Sequence, residues 1–120
     1  MFLLYQACTD STAEVRQSSF ALLGELAKAA FMHVEPCLVN FMPILSKNLD
    51  LKYISVCNNS TWAIGEIAIK SNEKIQGFVP MILPQLIYNL NQHETPKTLM
   101  ENTGKILKKN YFHSFFVLYF

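Results

Sequence analysis

The stretch VRQSSFALLGEL, residues 15–26, is answered 41 residues later by VCNNSTWAIGEI, residues 56–67, and this pairing decides the fold. Val15 aligns with Val56, Ser19 with Ser60, Gly24 with Gly65, Glu25 with Glu66 and Ala27 with Ala68. The same offset carries Pro43 onto Pro84, Leu45 onto Leu86, Asn48 onto Asn89 and Leu49 onto Leu90. Within each copy the apolar residues recur at spacings of three and four, the period of an amphipathic helix and not of a strand.

A helical repeat of about 40 to 47 residues is what HEAT and armadillo arrays show. The expected fold class is therefore all-α, an α-solenoid of HEAT repeats in which antiparallel helix pairs, A then B, stack side by side. One A helix is expected from about Pro36 to Leu49, with Leu38, Phe41, Leu45 and Leu49 on its buried face. Pro36 suits a first turn, whereas Pro43 and Pro84 lie inside A helices and should bend them by removing a backbone donor. The B helices are expected over residues 12–30, 53–70 and 96–104. Ser11 and Glu14 have capping-box spacing at the first of these starts. The third copy is displaced by two residues, Val56 matching Leu99 and Asn59 matching Asn102 at an offset of 43, as an insertion in the loop HETPK would produce.

With 120 residues and 51% hydrophobic content, the chain can bury a moderate core. Ten Lys and Arg against nine Asp and Glu give a net charge of +1, without the basic excess of nucleic-acid binders, so no direct nucleic-acid partner is expected. The balance is uneven: Lys105, Lys108 and Lys109 lie in a final stretch with no acid, and residues 1–104 carry seven positive and nine negative charges, a net of −2. Cys8, Cys37 and Cys57 are odd in number and lack CxxC spacing, which argues against a disulfide framework or a zinc site. His33, His93 and His113 share no metal-ligand spacing and read as surface or loop residues. The start MFLLYQAC has no basic leader, and no apolar stretch reaches the roughly 18 residues of a spanning helix. No phosphate-binding glycine loop, HExxH or nucleophile elbow occurs, so catalytic residues, cofactors and metal are all expected to be none.

Binding is the remaining class. With Val56 at zero on a helical wheel of about 100° per residue, Ser60, Ala63 and Ile67 fall within about 40° and define the packed face. Ile54, Asn58 and Trp62 fall at about 160°, 200° and 240°, on the opposite side. An exposed tryptophan with an asparagine and an isoleucine along one stripe is an apolar platform beside a hydrogen-bonding group, and tryptophan is enriched at binding hot spots. Position alone leaves a second reading open, in which Trp62 packs sideways between repeats. Glu25 and Glu66 sit at about 80° from the core centre, where carboxylates would draw in basic ligand residues. For Glu66 a solvated helix face is the preferred reading. Arg16 follows the valine of the pattern and is expected to join contacts between repeats, and Cys57 to be packed.

The strings VRQSSFALLGEL and NNSTWAIGEI, the residues from Tyr53 to Asn59, and TPKTLMENT together resemble the karyopherin beta-2 type of nuclear import receptor, within the importin-beta family. The resemblance covers residues 3 to about 103. It implies a concave surface lined by B helices and a function as a nuclear import receptor fragment that binds proline-tyrosine nuclear localisation signals there. By residue-to-residue match it implies cargo-binding Trp62, Asn58, Ile54, Glu25 and Asn102. The partners implied are cargo proteins bearing such signals and, for a full-length family member, Ran GTPase and nucleoporins; the locations implied are cytoplasm and nucleus. The alternative is a HEAT scaffold without transport activity, which would not need Trp62 open to solvent.

The resemblance stops near Thr103. The organisation expected is HEAT repeats over residues 1–104, about two and a half of them, and a divergent tail over 105–120 outside the solenoid. Six of the last sixteen residues are aromatic, in KILKKNYFHSFFVLYF. Lys, Ile, Asn, Tyr and Phe all have AT-rich codons, so a translated intron is the hypothesis for the tail's origin, and alignment of transcript to gene would overturn it by finding a separate spliced exon. A lipid-surface anchor is the rival reading of the aromatics; an exposed apolar cluster is more often an aggregation liability, and no membrane partner is expected. Where the family has an apolar contact, Lys105 brings a cation, which should weaken the pocket.

Overall fold

The computed structural model describes residues 1–119, with the side chains of all of these except 110, 111, 115, 116 and 119. Phe120, the end of the tail, lies outside the described residues. Seven α-helices follow in order: α1 (Phe2–Cys8), α2 (Ala13–Val34), α3 (Leu38–Lys47), α4 (Ile54–Ser71), α5 (Val79–Leu90), α6 (Lys97–Leu107) and α7 (Asn110–Tyr119). Among the described residues there is no strand, and the fold is the expected all-α one. Helices α1, α3 and α5 form one layer and α2, α4 and α6 the other, each helix packed on the next of its own layer. The body measures 37 × 32 × 20 Å along its principal axes, and 20 Å matches two helix layers of about 10 Å each.

The core lies between the layers. From α3 it takes Leu38, Phe41 and Leu45, followed by Leu49, as the A-helix pattern requires; from α4 it takes Val56, Ser60, Ala63 and Ile67, the face drawn on the wheel. Pro43 and Pro84 lie inside α3 and α5 on their exposed sides, where water can satisfy the carbonyls that a proline leaves without a donor. Both helices run continuously through them.

The first B helix departs from helical geometry at Ala30 (φ −150°, ψ 55°), where the sequence pattern ends, and a 3₁₀ turn at Glu35–Cys37 with Pro36 leads into α3. The window from Ala13 to Lys47 is long and apolar enough, by length and hydropathy, to cross a membrane. The break at Ala30 and the turn at Glu35–Cys37 divide it between a B and an A helix instead. The capping box at Ser11 and Glu14 does not form. Thr12 is the N-cap residue and makes no side-chain cap, because the chain enters through an Asx turn, the Thr12 amide donating to Asp10 Oδ1 at 2.8 Å. Arg16 Nη1 then donates to the Asp10 and Ser11 carbonyls at 2.8 and 3.1 Å.

The 41-residue period reappears in the side-chain bonding. Arg16 Nε donates to Asn48 Oδ1 at 2.9 Å; one repeat on, Asn89 Nδ2 lies 3.6 Å from Cys57 Sγ and donates to the Leu49 carbonyl at 2.9 Å. Arg16 also lies 5.4 Å from the centroid of the Tyr53 ring, a cation–π contact. The third B helix begins where expected but runs on to Leu107 and contributes Ile106 to the core. Beyond it, α7 lies against α5 and α6, and Phe112 is fully buried.

Candidate functional site

The row Ile54, Asn58, Trp62 and Glu66 ascends α4 at four-residue intervals, each step turning about 40°, so it winds from the side away from the A layer at Ile54 and Asn58 to the flank at Glu66. Ile54 is 39% exposed, and the other three are half-buried between neighbouring B helices. Of the depressions that border this row, two lie between the B helices. The first, about 180 Å³, is lined by Ile54, Ser55, Asn58 and Asn59 of α4, by Gln17 of α2, and by Pro96, Thr98 and Leu99 at the start of α6. The second, about 30 Å³, is lined by Trp62, Gly65, Glu66 and Ile69 of α4 and by Asn102, Lys105 and Lys109.

Trp62 is held from one side by α2. A Cβ placed on Gly24 would lie 2.2 Å from Trp62 Cζ3 and 2.5 Å from Cε3, so only glycine admits the ring at this depth. The two readings of Trp62 thus describe different parts of one side chain: it packs sideways on α2, and it lines the depression toward α6. Asparagines set the spacing of the B helices. Asn59 Nδ2 donates to the Gln17 carbonyl of α2 at 2.9 Å, and Asn102 Nδ2 donates to Asn58 Oδ1 of α4 at 2.9 Å. Asn59 and Asn102 are the residues that the 43-residue offset equates, and each bonds back to the preceding B helix.

Of the residues matched by resemblance, four come together: Ile54 and Asn58 on the first depression, Trp62 and Asn102 on the second, joined by the Asn58–Asn102 bond. Asn102 is buried, with one amide proton committed to that bond. Glu25 is exposed on α2 and lines neither depression, although it follows Gly24 directly. Residues not singled out from sequence also line the walls: Gln17, Pro96 and Thr98 below, Lys109 above, with Glu66 facing the same space as both lysines. The repeat register was a signal for Lys109, because the 43-residue offset carries Glu66 onto it, as it carries Trp62 onto Lys105.

The face offers hydrogen bonds, an aromatic surface and charge. Burial pushes the thiols of Cys8 and Cys57 up to about 12 and about 11; at Cys57 a hydrogen bond with Thr61 opposes this and the charge of Asp50 adds to it. Both stay protonated at neutral pH and are poor nucleophiles. Among the described residues no three His, Cys, Asp or Glu gather as a metal site, and all three histidines are exposed.

No family model matches the chain. Among curated proteins it is 58% identical over 102 residues to Transportin-1 of Homo sapiens, 42% identical over 102 residues to Transportin of Dictyostelium discoideum, and 34% identical over 99 residues to Importin subunit beta-2 of Schizosaccharomyces pombe. These alignments cover 85%, 85% and 79% of this chain but 11% of each relative, so the chain spans about a tenth of the length of the curated relatives it matches. A two-layer helical array with a 41-residue period, carrying this degree of identity along most of its length, is similar to a stretch of the transportins.

Proposed function

We propose that the chain binds cargo for nuclear import, holding an extended proline-tyrosine localisation signal across the B-helix face, with the signal's apolar part stacked on Trp62. The observation that carries this reading is the stripe itself: Ile54, Asn58 and Trp62 border two adjoining depressions, and the Asn58–Asn102 bond ties their far wall to α4. A half-buried tryptophan already held on one side has little rotamer freedom left to lose on binding, which favours affinity. Glu25, exposed on α2, supplies charge for a basic residue. The proposed partners are cargo proteins bearing such signals; Ran GTPase and nucleoporins belong to a receptor longer than this chain, and the proposed locations are cytoplasm and nucleus. The role is recognition and not catalysis.

Trp62 is the single tryptophan, so its fluorescence reads the face directly. Titration with a basic proline-tyrosine peptide is expected to give a saturable change that a scrambled peptide does not. The packing of Trp62 on Gly24 favours a second reading, a scaffold in which the ring serves only to join repeats. A helical, folded chain whose emission is indifferent to the peptide would decide for that scaffold.

A further inference from the structure

The repeat offsets line up a row of side chains across the three B helices. Glu25 on α2, Glu66 on α4 and Lys109 just past α6 are equivalent positions at offsets of 41 and 43 residues, and Lys105 is the equivalent of Trp62. The row is negative at its first two places and positive at its third. Lys105 and Lys109 both line the depression at Trp62, against one carboxylate, Glu66. Among the described residues neither lysine is in a salt bridge, so no carboxylate neutralises either charge by direct contact.

From this inversion we infer that the ligand of the B-helix face is an extended dipolar peptide: basic at the end over α2, apolar in the middle over Trp62, and acidic at the end against Lys105 and Lys109. The inference rests on the cargo-binding reading above and specifies its chemistry. Neighbouring packed helices lie about 8–10 Å apart, so two steps from α2 to α6 cover about 20 Å. An extended chain advances about 3.3 Å per residue, which separates the basic and acidic ends by about six residues. A uniformly basic peptide would meet two ammonium groups at the α6 end, and like charges brought together at an interface select against that ligand.

The test uses the whole 120-residue chain and three peptides of equal length around one proline-tyrosine centre: arginines before and glutamates after it, the reverse order, and arginines on both sides. With Trp62 fluorescence as the readout, one of the two dipolar orders is expected to bind about three- to tenfold more tightly than the all-basic peptide, the scale of two solvated charge contacts. Lys105→Glu with Lys109→Glu should reverse that ranking. Lys108→Glu, an exposed lysine outside the depression, should leave it unchanged. Reversed charges at a helix C-terminus oppose the helix dipole, so if circular dichroism finds the double variant unfolded, Lys105→Gln with Lys109→Gln should instead erase the ranking. An all-basic peptide that binds as well as either dipolar one, or a Lys108→Glu variant that shifts the ranking as far as the double variant, overturns the inference while cargo binding stands. If no peptide perturbs Trp62, the cargo-binding reading itself fails.

Discussion

The ring of Trp62 presses so closely on Gly24 that a methyl group there would sit 2.2 Å from Cζ3. Gly24 and Gly65 occupy equivalent repeat positions, yet among the described residues the same addition at Gly65 meets only Ile106 Cγ1, at 3.7 Å. Two glycines that look alike in sequence therefore have different reasons to be small.

Gly24→Ala tests this contact. Inside a helix alanine is ordinarily favoured over glycine by about 0.8–1 kcal/mol, and Gly65→Ala should show a gain of up to that size. At Gly24 the overlap with the ring dominates, and the expected result is a net loss of about 1–2 kcal/mol in urea denaturation. Trp62 should swing toward the open face, with emission shifted to the red. A Gly24→Ala protein as stable as Gly65→Ala, with unchanged emission, would contradict the packing.

The Asn58–Asn102 bond is the second target. Asn102→Ala removes the donor from a buried site and should cost about 1–2 kcal/mol, with Asn58→Ala costing less because its residue is only half-buried. A double-mutant cycle should return a coupling of at least about 0.5 kcal/mol. Strict additivity would mean that the two amides do not hold α4 and α6 together.

How much of this was legible in the sequence depends on the range of the interaction. The core faces of α3 and α4 follow from spacing within a single helix, so Leu38, Phe41 and Leu45, or Val56, Ala63 and Ile67, could be assigned from periodicity. The equivalence of Asn59 and Asn102 was visible as an offset of 43, and their matching bonds follow from it. Contacts that cross from one helix to another at a particular height were not legible: a wheel drawn for α4 places Trp62 away from the A layer but cannot contain Gly24. The Ser11–Glu14 signal failed for a local reason, because Asp10 offers the entering amide an Asx turn that the capping-box pattern does not weigh. Lys109 was passed over because it lies beyond the strings that carry the resemblance.

Cys8 and Cys57 predict an alkaline limit to stability. Their native pKa values, about 12 and about 11, lie above the 9.0 of a free thiol, so the native state keeps protons that the unfolded state releases. Stability from this source is complete below pH 9 and falls as pH rises from there toward the native values. Cys8→Ala should flatten that fall in alkaline denaturation curves, although the lost methyl-sized packing lowers stability at every pH. At pH 8 a thiol reagent should modify the half-buried Cys37 first and the other two only on unfolding. Rapid modification of all three in the native protein would count against the burial of Cys8 and Cys57.

Phe112 tests whether the tail belongs to the folded body. It is fully buried in the core cluster, and Phe112→Ala should cost about 3–5 kcal/mol, a large part of the roughly 5–15 kcal/mol available to a domain of this size. Thermal unfolding followed at 222 nm should reveal a much lower midpoint. Exposed Val117, changed to Ser, should leave it within a degree or two. Equal midpoints for the Phe112→Ala and Val117→Ser variants would mean that α7 contributes nothing to the fold.

The asparagine bonds at Gln17 and Asn58 have a mechanical consequence. Each joins one B helix to its predecessor at one level, and among the described residues each is the one side-chain hydrogen bond between its two helices. A single directional tie of this kind is a pivot. Neighbouring repeats can fan about it like the ribs of a folding fan, widening or narrowing the face on both sides of Asn59 and Asn102 while every helix stays intact, and a solenoid adds such small angles from repeat to repeat. The width of the B-helix face can then be adjusted by curvature alone, without rebuilding any of its walls.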